Sequence, residues 1–131
     1  MAVFQSDLLG RSIQVLGKIS QAAMATTGTL TLFNTPPAPP GSSFRTFVLA
    51  IVLDNPTGAS GTLTASAGSG STATDFVTSG SVAVPTSAGT PTTILYAVST
   101  GIIYASGLAF NFKITAGGVG ACDITALGWT E

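Results

Sequence analysis

The chain has 131 residues, enough for one ordinary domain built around a single core. It carries four Lys+Arg, five Asp+Glu, no histidine and one cysteine. That composition leaves out imidazole acid–base chemistry, the usual zinc ligand sets and an internal disulfide, and four scattered cations cannot neutralise a run of nucleic-acid phosphates.

Residues 1–27 read as an N-terminal arm ahead of a domain spanning 28–131. Ser6 and Asp7 suit the cap of a short helix from Leu8, although Gly10 and Gly17 each cost a helix about 1 kcal/mol relative to Ala. Ile13, Val15 and Ile19 at alternating positions suit a strand instead, and both readings stay open. Phe4, Leu8, Leu9, Ile13 and Leu16 are more apolar surface than a loose tail would keep, and Arg11 and Lys18 lie among them. These residues, with Arg45, are the expected interface set.

From Gly28 onward the pattern is β. Gly28 to Phe33 alternates Thr with Leu, and the prolines of Pro36-Pro37-Ala38-Pro39-Pro40 then interrupt pairing because they lack an N–H. Phe44 to Asp54 predicts the strongest strand, with Phe47, Leu49, Ile51 and Leu53 on one face and Val48, Ala50 and Val52 on the other. Both faces are apolar, as in a strand buried on two sides. Asn55-Pro56-Thr57-Gly58 predicts a turn, and Gly61 to Ala67 a further strand. Ala67 to Ser81 reads as a long exposed loop anchored by Phe76 and Val77, with a turn of helix near Asp75. Short strands follow at Val82 to Val84, Thr92 to Ser99 and Ile102 to Ala105. Leu108 to Thr115 places Leu108, Phe110, Phe112 and Ile114 on one face, and Ala121 to Trp129 closes the chain. About eight strands at this spacing predict an all-β sandwich or jelly roll.

The mean hydropathy is +0.55, yet the longest apolar run, Phe47 to Leu53, falls well short of the ~20 residues of a spanning helix. No basic-then-apolar leader is visible, so neither a membrane nor a secretory signal is expected. A net charge of −1 favours association, so the chain is expected to pack against copies of itself or a larger shell.

Candidate sites for chemistry are thin. Asp54, Asp75 and Asp123 are the carboxylates to consider for a cation or for glycoside hydrolysis, but their spacing matches no calcium loop and nothing sets a carboxylate pair. Gly117-Gly118-Val119-Gly120 lacks the Lys-Ser/Thr of a phosphate loop and reads as a hairpin turn. Cys122 shares a face with Ile124 and Ala126 and is expected in the core. Tyr96, Tyr104 and Trp129 are the aromatics that a sugar-binding platform would use, or else core and interface anchors.

Two stretches carry a resemblance. TPPAPPGSSFRTFVLAIVLDNPTGASGTL, from Thr35 to Leu63, resembles a module common in virion proteins of tailed bacteriophages, and GLAFNFKITAGGVGACDITALGW is similar to the closing hairpin of those β-sandwich proteins. The resemblance implies a two-sheet β-sandwich of jelly-roll type with an N-terminal arm. It implies a non-enzymatic capsid decoration (cement) protein on the outer capsid surface of the virion, without cofactor, metal, nucleic acid or membrane. The partners would be the major capsid protein and further copies of the chain, a trimer being expected, with the arm reaching a neighbouring subunit. The alternative is a receptor- or glycan-binding module on a tail or other appendage, using Tyr96, Tyr104 and Trp129.

Overall fold

The alternation of Thr, Val, Ile and Leu with small residues is expressed as strands throughout the computed structural model, which describes residues 13–41, 44–97 and 103–130. In chain order the strands are β1 (Gln14–Ala23), β2 (Gly28–Asn34), β3 (Arg45–Ser60), β4 (Thr62–Ser69), β5 (Val77–Ala83), β6 (Thr93–Tyr96), β7 (Ile103–Ala105), β8 (Ala109–Ala116) and β9 (Val119–Thr130). Among the described residues there is no helix. The strands form two antiparallel sheets. The first runs β1-β9-β3-β6, with β7 also on β3; the second runs β2-β8-β4-β5. β6 pairs with Ala50 to Leu53 and β7 with Arg45 to Phe47, so the two follow one another along β3 as an interrupted strand.

The sheets pack as a β-sandwich around one core. Phe110, Phe112 and Ile114 of β8 are buried, together with Cys122, Ile124 and Ala126 of β9, whereas Leu108, which the alternation groups with the first three, precedes β8 and is exposed. Small residues make room for the large ones: Ala65 and Ala67 of β4 are fully buried beside Ile114 and Phe112, their partners on β8. Phe110 stacks on Phe33 at 5.1 Å and meets the edges of Phe76 and Tyr104 at 5.5 and 5.3 Å. Each such aromatic contact adds about 1 kcal/mol to the burial itself.

Four sequence expectations change. The strand boundary at Gly28 moves back, because Gln14–Ala23 pairs with β9 from Gln14 opposite Gly128 to Ala23 opposite Ala121. Ala22 and Met24 are buried in the core, so residues 14–23 belong to the sandwich and not to an arm. Pairing with β1 satisfies the backbone groups along the edge of β9, and Gly17, which weighs against a helix, sits within that strand. Second, the Asn55–Gly58 turn lies inside β3: the strand bulges between Asp54 and Thr57, with Asn55 at φ 50°, and continues to Ser60. Third, the expected loop from Ala67 to Ser81 holds the end of β4 and most of β5, and no helix forms near Asp75. Fourth, the faces of β3 are not those of a regular strand. A bulge between Val48 and Ala50 resets the alternation, so Val48 joins Ile51 and Leu53 in the core while Phe47 joins Val52 outside.

Candidate interaction surface

Directly paired residues in an antiparallel sheet project on the same side. Read across the first sheet, the outward rows are therefore Trp129–Phe47–Ile103, then Val15–Leu127–Ala50–Tyr96, then Lys18–Thr125–Val52–Ile94. Seven large apolar or aromatic side chains beyond Val15 and Ala50 lie in these three rows. Tyr96 is 64% exposed, Val15 62%, and Ile94 and Ile103 46% each. Phe47 and Trp129 stack face to face at 4.5 Å and 12°. The second sheet is different: its outward rows include Thr29–Lys113–Ser66 and Thr31–Asn111–Gly68, which are polar or small. One outer face is thus polar, with Ser66 and Asn111 themselves buried, and the other is apolar. A contiguous apolar area of this kind on an outer face is characteristic of a contact surface.

The apolar face ends in a row of charge, where Asp123 of β9 lies opposite Asp54 of β3. Like charges directly opposite are unfavourable, and Asp123 is buried. It is held by a ring of donors. The Gln21 backbone N–H donates to Oδ1 at 2.8 Å and the Gln21 side-chain amide to the same oxygen at 3.1 Å. The Asn55 side-chain amide donates to Oδ2 at 3.2 Å, and Lys18 Nζ lies 3.4 Å from Oδ2. These donors, led by the Gln21 N–H, outweigh burial and hold the Asp123 carboxyl down to about 2. Gln21 also donates its amide to the Asn55 carbonyl at 2.9 Å, tying β1 to β3 across β9.

The structure separates the residues that sequence alone grouped. Asp75 lies on the β4–β5 connection, away from the Asp54–Asp123 pair, where it accepts from the Ser69 N–H at 2.8 Å, the Ser69 hydroxyl at 2.6 Å and the Tyr104 hydroxyl at 3.3 Å. A Cβ at Gly68 would overlap Asp75 Oδ1, so the glycine lets this carboxylate close over the strand. Among the described residues no three His, Cys, Asp or Glu gather as for a metal ion. Of the three aromatics, Tyr104 points inward and is only 3% exposed. Burial first, and then the charge of Asp75, push its hydroxyl pKa upward. Tyr96 and Trp129 share the outer face but stand on β6 and β9 with β3 between them, so the three do not form a platform. Tyr104 is a core residue, which corrects its place among the ligand-binding aromatics.

Of the expected interface residues, Lys18 borders the apolar face and Arg45 stands exposed at its far end, where β3 begins. Leu16 and Ile19 pack against the core, and Ile13 precedes β1 half-buried. Phe4, Leu8, Leu9 and Arg11 lie outside the described residues. Sequence reasoning did not find Ile94, Ile103 and Leu127 as surface residues, nor Gln21 and Asn55 as the donors around Asp123. The legible signal was the double apolar face of Phe44 to Asp54.

Cys122 is buried and its thiol lies 3.5 Å from the Met24 sulfur. Burial, then the charges of Asp123 and Asp54, push its pKa up to about 11, the reverse of an activated nucleophile.

No protein-family model matches the chain, and neither do the curated proteins or the solved structures compared with it.

Proposed function

We propose that the chain is a non-enzymatic structural protein of a tailed-bacteriophage virion, a capsid decoration or cement protein of the outer capsid surface. The observation that carries this reading is the contrast between the two outer faces: Phe47, Val52, Ile94, Tyr96, Ile103, Leu127 and Trp129 on one, Thr29, Thr31, Ser66, Asn111 and Lys113 on the other. A surface of that kind is suited to burial against protein, and the scarcity of charge over the whole chain agrees with it.

The strand order supports the virion setting. With β6 and β7 taken as one interrupted strand, the described residues form eight strand positions. Their order, first-second-first-second-second-first-second-first between the two sheets, with the sequences β1-β9-β3-β6 and β2-β8-β4-β5, supports reading the sandwich as a jelly roll. Jelly rolls recur in capsid proteins and also in lectins, so the order is compatible with the reading without carrying it. The resemblance of Thr35 to Leu63 to phage virion modules points the same way. The major capsid protein is the proposed partner, with Phe4, Leu8, Leu9 and Arg11 assigned to that contact by their sequence. Tyr104 lies in the core, which removes one of the three aromatics that a glycan-binding reading would use.

The test is cosedimentation of the purified chain with empty capsids of the phage whose genome carries this gene. Saturable binding that raises the temperature at which the capsids fall apart is the expected result. Capsids that neither bind the chain nor gain stability from it contradict the proposal.

A further inference from the structure

We draw no further inference here: the strongest candidate, the apolar outer face of the first sheet around Phe47, Ile94, Tyr96 and Trp129, carries nothing beyond the contact role already proposed for it, because nothing in the structure shows what covers it.

Discussion

Gln21 donates its backbone N–H to Oδ1 of Asp123 across 2.8 Å, and it does so from a φ of 50°. A left-handed backbone costs a residue with a Cβ about 1 kcal/mol or more. Here it accompanies the bulge between Ile19 and Ala22, and on the opposite flank Asn55, also at φ 50°, sits in the bulge between Asp54 and Thr57. Two neighbouring strands thus bend around one carboxylate on the strand between them. Local strain is offset by donors that would otherwise have no charged acceptor.

That arrangement has a pH signature. The ordinary aspartate pKa is about 3.9, and in the folded chain Asp123 is held down to about 2. Because the folded-state value is the lower one, the stabilisation is complete above about pH 4 and is lost as the pH falls toward about 2. The urea midpoint is expected to drop over that interval. Asp123→Asn, which no longer titrates, should lower the midpoint at neutral pH and flatten the acid decline. Urea titrations of both proteins from pH 2 to 7 check this; equal acid slopes would refute it.

The position of β1 makes truncation informative. Deleting residues 2–12 removes none of the β1–β9 pairs, so the urea midpoint should stay near that of the full chain. Deleting residues 2–20 takes away the pairs from Gln14 to Ile19 and uncovers the β9 edge. That variant is expected to be strongly destabilised or unfolded by circular dichroism. A stable sandwich after the longer deletion would return β1 to the status of a dispensable arm.

Gly17 of β1 faces β2 of the second sheet at close range. A Cβ there would overlap the Leu32 carbonyl oxygen and press on Phe33. Gly17→Ala should therefore cost about 1–3 kcal/mol, the range of overpacking in a filled interior. Gly80→Ala is the control, since its Cβ would meet nothing closer than the Thr78 carbonyl at 3.8 Å. It should stay within about 0.5 kcal/mol of wild type in denaturant unfolding.

Cys122 should be inert in the folded chain. It is fully buried, and with its pKa up at about 11 only about a thousandth of it would be thiolate at pH 8 even if reached. A colorimetric thiol reagent is expected to find no reactive group in native protein and one per chain in urea. Rapid native labelling would mean that the β9 side of the core opens readily.

The strand content of this chain is written in its local pattern. Period-two alternation is a property of a few neighbouring residues, so the sequence alone identified β8 and placed Leu108, Phe110, Phe112 and Ile114 on one face of it, of which all but Leu108 enter the core, and it placed Cys122, Ile124 and Ala126 on one face of β9. It also showed that both faces of the strand through Phe47 and Leu53 are apolar. Which face went inward was beyond it, because one extra residue between Val48 and Ala50 reverses the alternation, and a bulge is stabilised by the neighbouring strand's register and not by the residues in it. For the same reason Gln14–Ala23 could be read as helix, strand or arm: an edge strand is decided by the partner edge, here β9, which lies about a hundred residues away in sequence. The burial of Tyr104 and the donors around Asp123 follow from those pairings. Local periodicity determined that the chain is β; long-range register alone determined which side chains the sandwich encloses and which it presents.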